Sequence, residues 1–388
     1  MKSVLLFFTV IAMMISSFFY GLKSPAGDLA VKTSSDEIIC IEEDDKTLLR
    51  SIFETETAWI ASLQLENGSI PMTRSDNGEL SVNPYFSDFA ALALLDNAEK
   101  YAENVKSYID WHIGHLNTSK TDYNGIDGTI YDYIITVENG AIIKEESKGT
   151  YDSTDSYAAT FLMVLEKYYS KTGDCELIIR YGDEIQRIYN AMLKTFNRGL
   201  TYAKTDYKVK YLMDNCEVYA GLIAANNLFQ LLFENDCVNS LFVKSSALTA
   251  EKLALKLEKK LWNADGGHYK SGIFADNKPI SEFSWTEYYP CATSQLFTIT
   301  SGVLDAGSLR AEKIYNSFCE NVKWESFEIP SDFCWGANAY AAAVMGDSER
   351  VIEYMKNYST LFMSTHEYPL YNADAARVSM AAYLVLSS

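Results

Sequence analysis

An all-α ring of six helical hairpins, an (α/α)6 toroid, is the fold predicted by this sequence of 388 residues. Three observations lead to it. Apolar positions recur with helical rather than strand spacing along most of the chain, striped segments alternate with segments apolar on every side, and the alternation completes six rounds. With 48% apolar and 13% aromatic residues, the chain has enough material for a large core.

The first striped segment carries Leu48, Leu49, Ile52, Phe53, Trp59, Ile60 and Leu63 at three-and-four spacing. It is followed by 86–95, apolar almost all round and without a charge after Asp88. Tyr101, Val105, Tyr108, Ile109 and Ile113 mark the second striped segment, and 157–165 its apolar partner. Leu177, Ile178, Ile185, Ile188, Tyr189, Met192 and Phe196 open the third round, closed by 218–233. Later rounds pair 241–262 with 288–300, 309–322 with 334–345, and 348–359 with 373–386. A helix apolar on every side must be covered on every side, whereas a striped one faces water, so six inner helices are sheathed by six outer ones. An open solenoid of helical pairs is the alternative, but solenoids keep a fixed repeat length. The landmarks Asp88, Asp155, Glu217, Glu287, Asp332 and Asp374 are unevenly spaced.

In such a ring every loop from an outer helix into its inner partner lies on one face, beside the N-termini of the inner helices. Those loops (66–85, 117–152, 197–214, 263–288 and 323–335) are long and rich in Gly, Asn, Asp, Trp and Tyr. Loops of that length in a compact fold usually serve a site. The second contains a predicted β-hairpin, 129–137 against 141–145, turning through Glu138-Asn139-Gly140.

Lys2 precedes an uncharged run over 3–22, long enough to span a bilayer. Export is expected, with residues 1–23 a cleaved signal peptide or an uncleaved membrane anchor, 24–44 a polar linker and 45–388 the helical domain. The expected location is secreted or tethered at the outer face of the cell membrane, and a monomer is expected. The net charge of −19 repels a polyanion, so no nucleic-acid partner is expected. The seven cysteines are scattered without a CxxC pair and read as free thiols, and His112 and His115 as structural. No cofactor and no metal is implied.

Nearly every inner helix begins with a carboxylate beside an aromatic: Tyr85 with Asp88; Tyr151, Asp152 and Asp155 with Tyr157; Asp214 and Glu217 with Tyr219; Trp285, Glu287 and Tyr288; Asp332 and Trp335; Tyr371 and Asp374. Hydrolysing a glycosidic bond needs one carboxylic acid to protonate the leaving oxygen and one carboxylate to activate water or offset positive charge at the anomeric carbon. Aromatic rings stack on the apolar faces of sugars. An Asp at a helix start is also a favoured cap. Asp152 and Asp155 share one turn, however, and only one of them can cap, which makes Asp155 the leading catalytic candidate and Asp152 the next. Tyr85, Tyr151, Glu217, Trp285, Glu287, Tyr288, Asp332 and Trp335 are the expected carbohydrate contacts. There is no GxSxG, Walker A, dinucleotide-binding or HExxH pattern.

The twelve-helix pattern, the turn Asp152-Ser153-Thr154-Asp155-Ser156-Tyr157-Ala158-Ala159 and the stretch Asn83-Pro84-Tyr85-Phe86-Ser87-Asp88 resemble the six-hairpin glycosidase superfamily, glycoside hydrolase families 8 and 126 in particular. The likeness spans 45–388. It implies hydrolysis by carboxylate acid–base catalysis, with Asp155 matching the aspartate-rich turn that opens the fourth helix in family 8. Family 8 also has a glutamate general acid at the start of the second helix, where this sequence has none; Glu79, just upstream, and Asp88, just inside, are the nearest carboxylates. Lys and Arg are absent from 82–88, 150–157, 213–219, 281–289 and 330–335, so a neutral poly- or oligosaccharide is the expected substrate. Two alternatives stay open: a uronate-directed hydrolase or lyase on the same ring, and a surface glycan-binding protein without turnover.

Overall fold

The computed structural model describes residues 41–329 and 334–388. The apolar run 3–22, most of the polar linker, Cys40 and Asp332 therefore lie outside the described residues.

The described chain is mostly helical. Its helices are α1 Glu43–Leu63, α2 Pro84–Leu94, α3 Ala98–Gly114, α4 Asp155–Thr172, α5 Cys175–Arg180, α6 Gly182–Lys194, α7 Leu212–Glu234, α8 Ser240–Lys260, α9 Thr293–Thr300, α10 Leu309–Asn321, α11 Gly336–Val344, α12 Ser348–Leu361 and α13 Asn372–Ser387. Local chemistry sets their ends. Glu43, Asp44 and Asp45 place three negative charges at the positive end of the α1 dipole. At α2, Pro84 takes the first turn, where no N–H is needed, and the Asn83 side chain accepts from the Phe86 N–H. Gly173, at φ 72°, closes α4 in the left-handed conformation.

The segments apolar all round pack on one another. α2 contacts α4, α4 contacts α7, α7 contacts α9, α9 contacts α11, α11 contacts α13, and α13 returns to α2. The striped helices lie against them: α1 on α13, α3 on α2 and α4, α6 on α4, α8 on α7, α10 on α9, and α12 on α11. At the α4–α7 crossing Gly221 lets the backbones touch, since a Cβ there would sit 2.6 Å from the Ala159 Cα. Gly221→Val is expected to lower stability by about 1–3 kcal/mol through overpacking, measurable as an earlier thermal unfolding transition.

Three expectations need correction. The third outer segment is two helices, because the chain breaks at Tyr181 and restarts at Gly182, where a side-chain Cβ would come within 3.2 Å of the Leu232 side chain of α7. The helix expected from 288 opens as an irregular π-helical turn, Tyr288–Ala292, and becomes regular only at Thr293: Pro290 has no N–H to donate and Tyr289 before it is extended at φ −121°, ψ 132°. The predicted hairpin is present as β2 Tyr133–Glu138 and β3 Ala141–Ser147, turning at Asn139 and Gly140 with φ 51° and 78°. Part of the loop 66–85, however, is a third strand, β1 Gly78–Val82, antiparallel to β2 with Leu80 opposite Ile135. Its pairing partner is some fifty residues downstream, beyond the reach of a local pattern.

Among the described cysteines no disulfide forms; Cys216, Cys291, Cys319 and Cys334 are buried, Cys175 is half-buried and Cys237 exposed. His112 is buried and stacks on Phe161 with ring centroids 3.5 Å apart, and His115 packs at a tilt against Trp111.

Candidate active site

The N-terminal ends of α4 and α7 and the loop before α4 bring five carboxylates into one electrostatic group. Asn215, in the first turn of α7, fastens that helix to the strand segment at Thr201 by accepting its N–H at 2.8 Å and donating to its carbonyl at 3.2 Å. Thr154, just before α4, donates its N–H to Ala203 in the same segment. These ties set Asp155 of α4 beside Asp214 and Glu217 of α7.

Asp155 is fully buried and accepts the Ser156 N–H at 3.0 Å. Burial, opposed by the Thr201 hydroxyl and the local backbone and reinforced by Glu217, pushes its carboxyl up to about 8. Asp214 is half-buried and is raised well above the usual carboxylate range by burial and then by the charges of Asp155, Glu217 and Asp152. Glu217 is also raised by burial, but the Tyr85 hydroxyl donates to its Oε1 and Arg377 lies close by, and both favour the charged form.

The other two carboxylates stand nearer the surface. Asp152 is exposed. Asp132 is half-buried, held by its N–H to Thr150 and its carbonyl to the Lys148 N–H, and its Oδ1 accepts the Tyr157 hydroxyl at 2.9 Å. Asn83 donates to the same Tyr157 oxygen at 2.7 Å, so the start of α2 is part of this network. Burial, partly offset by Tyr157 and Lys148 and reinforced by Asp152, pushes Asp132 up to about 6. Exposed Tyr207 and Tyr289 lie beside the group: Asp214, Asp152 and Glu217 raise the Tyr289 hydroxyl after burial, and Tyr207 shares a hydroxyl contact of 3.0 Å with Tyr211. Trp335 packs on Tyr289 with ring centroids 5.5 Å apart.

Several predicted residues sit elsewhere. Glu79 is exposed on β1 opposite Thr136, outside the group. Asp88 is fully buried, its carboxylate taken by the Tyr108 hydroxyl at 2.8 Å and the Thr160 hydroxyl at 2.6 Å, with His112 at 3.8 Å. It ties α2 to α3 and α4 and cannot meet a ligand. Tyr151 and Tyr288 are 2% and 3% exposed: the first packs among Tyr123 and Tyr131, and the second accepts from Asn338. Trp285 packs edge-on against Phe283, and exposed Glu287 accepts from the Cys291 thiol. Asp374, raised to about 6 by burial, caps α11 through the Gly336 N–H.

Asp132 and Arg377 are the two functional residues with no clear signal in the sequence. Asp132 sits in a loop rather than at a helix start, although Tyr131-Asp132-Tyr133 has the same acid-beside-aromatic wording as the other segments. Arg377 lies one turn inside an otherwise apolar helix.

Asp132, Asp155 and Asp374 have folded values above that of a free carboxylate, so between about pH 4 and 8 these three groups hold more protons in the native state than in the unfolded chain. Their stabilising protons are present at low pH and are lost as pH rises through about 6 and then about 8. The melting temperature should therefore fall from pH 5 to pH 8, and Asp155→Asn should flatten the upper part of that fall in a calorimetric pH series.

No family model matches the chain, and no curated protein matches it in sequence. Solved structures do match it in fold. A glycosidase variant in complex with glucose superposes with TM-score 0.61 at 11% identity, covering 89% of this chain and 100% of that one. An α-amylase from Clostridium perfringens gives TM-score 0.57 at 12% identity over 87% of this chain and 97% of that one. A GH78 family rhamnosidase of Bacillus sp. GL1 gives 0.59 at 13% over 87% of this chain, which corresponds to 34% of that longer protein. The fold is thus one that glycosidases use; identities this low carry the fold and not a family or a substrate.

Proposed function

We propose that the protein is a glycoside hydrolase of (α/α)6 toroid architecture, related to families 8 and 126, that cleaves a neutral poly- or oligosaccharide. The observation that carries this reading is the adjacent pair Asp132 and Asp152 at the accessible side of the five-carboxylate group. Asp132, half-buried and raised to about 6, is the proton donor to the leaving oxygen. Asp152, exposed to solvent, is the carboxylate that activates water or offsets charge at the anomeric carbon. Asp155 and Asp214 lie beneath and tune their field. Neighbours named as a glycosidase and an α-amylase support the reaction class. The acidic surroundings favour an uncharged glycan, because focused negative potential repels a uronate chain.

Export through the 3–22 segment, to the medium or to the outer face of the cell membrane, and a monomeric state complete the proposal. A second reading, glycan binding without turnover, is favoured by one observation: the start of α2 carries Asn83 as a cap and no glutamate.

Hydrolysis and binding on one panel of matched neutral and uronic oligosaccharides, at low and high salt, separate these readings. Cleavage of neutral members is expected. Preferential cleavage of uronic members would replace the substrate class, and binding without cleavage would favour the second reading. Tyr207→Ala and Tyr289→Ala are each expected to raise KM about twofold to tenfold with little change in kcat, the cost of one lost ring contact, as read in steady-state kinetics.

A further inference from the structure

Between the inner helices lies a cavity of about 620 Å³, including its open side, with walls from α2, α4, α7, α9, α11 and α13. Most of its lining is apolar, Phe89, Met163, Leu296 and Met380 among it. Two lining residues carry charge: Glu217 from α7 and Arg377 from α13. The Arg377 guanidinium lies 3.9 Å from the Phe89 ring centroid and 5.9 Å from that of Phe297. Its Nη2 donates to the Tyr85 hydroxyl oxygen at 3.4 Å, and that hydroxyl donates in turn to Glu217 Oε1.

We propose that Arg377 is a positioning residue: from inside the cavity, through Tyr85, it holds Glu217 as an ordered carboxylate and is the internal counter-charge of the acidic group, rather than a cradle for an anionic substrate. An isolated charge in an apolar cavity is strongly disfavoured, so the cation and the carboxylate each account for the other. The groups facing Glu217 are Tyr85 at the start of α2, Asp155 and Ser156 from α4, Asp214 and Cys216 from its own helix, Tyr289 from the segment before α9, and Arg377 from α13. Arg377 is the single cation in that set, and burial is what opposes ionisation of Glu217. Its guanidinium is already engaged by a ring face and by Tyr85, which leaves it poorly placed to grip a ligand carboxylate. In this way Arg377 divides labour within the group, keeping one buried carboxylate charged while Asp155 and Asp214 retain protons. This role deepens the hydrolase reading and rests on it for its catalytic meaning, but not for its electrostatics.

The test compares thermal unfolding from pH 5 to pH 8 for wild type, Arg377→Met, Arg377→Lys, Tyr85→Phe and the double variant Arg377→Met/Glu217→Gln. Without the counter-charge Glu217 takes up a proton, and that proton is lost, with its stability, as pH rises. Arg377→Met should therefore lose roughly 2–4 °C more than wild type between pH 5 and pH 8, and Tyr85→Phe a smaller extra amount. Arg377→Lys should follow wild type, and the double variant should return towards the wild-type slope because its titrating group is gone. Equal slopes for wild type and Arg377→Met, or a steep slope that persists in the double variant, would overturn the proposal; if Arg377→Met does not fold, Tyr85→Phe decides by the same slope. KM for uronic members of the panel rising selectively in Arg377→Met or Arg377→Lys would also overturn it. The slopes need no substrate, so failure to hydrolyse any glycan would remove the enzyme reading and leave this one standing.

Discussion

Asp152→Asn is expected to lower kcat on a neutral oligosaccharide by about 10²–10⁴-fold, the range typical of a positioned acid or base, while leaving the fold unchanged. The side chain is exposed and forms no cap in the structure, so an isosteric amide removes the charge and nothing else. Stability should stay within about 0.5 kcal/mol of wild type, as for other surface substitutions. Steady-state kinetics beside a melting curve checks both halves. A loss of activity that tracks a loss of folded protein would assign Asp152 a structural role.

Asp132→Asn is expected to cost a similar factor, about 10²–10⁴, with a signature that separates it from Asp152. An amide still accepts the Tyr157 hydroxyl but has no proton to give the leaving oxygen. In wild type the donor must be protonated, so activity should decline as pH rises through about 6, the value to which burial and Asp152 push Asp132. That alkaline limb should vanish in the variant. An aryl glycoside with an activated leaving group needs little protonation and should recover much of the lost rate. A full deficit on both substrates, with the limb intact, would move the proton donor to another carboxylate of the group, Asp214 being next because it is half-buried and raised.

The alternation of striped and uniformly apolar segments was legible because burial on every side leaves a compositional trace, and the contacts of α2, α4, α7, α9, α11 and α13 follow it. The carboxylates Asp152, Asp155 and Glu217 were legible for a related reason: they lie at or just before the starts of α4 and α7, and those two starts adjoin. Pairing between distant segments leaves no such trace. Strand β1 forms only because β2 is there to receive it, and Asp132 reaches the group on the segment leading into β2. Aromatic rings beside acids were ambiguous in sequence. Tyr151 and Tyr288 carry the same local wording as exposed Tyr289, yet stacking with Tyr123 and Tyr131, or a hydrogen bond from Asn338, draws them into the interior. Asp88 shows the same limit, since its neighbours Tyr108 and Thr160 come from two other helices.

The most direct measurement is reducing-end release from neutral oligosaccharides by the wild-type protein and by Asp132→Asn and Asp152→Asn, each verified as folded by its melting curve. Turnover by wild type and loss of about 10²-fold or more in both variants are expected. Turnover by either folded variant within about threefold of wild type would contradict these roles, because a group that supplies general acid–base catalysis cannot be removed at so small a cost.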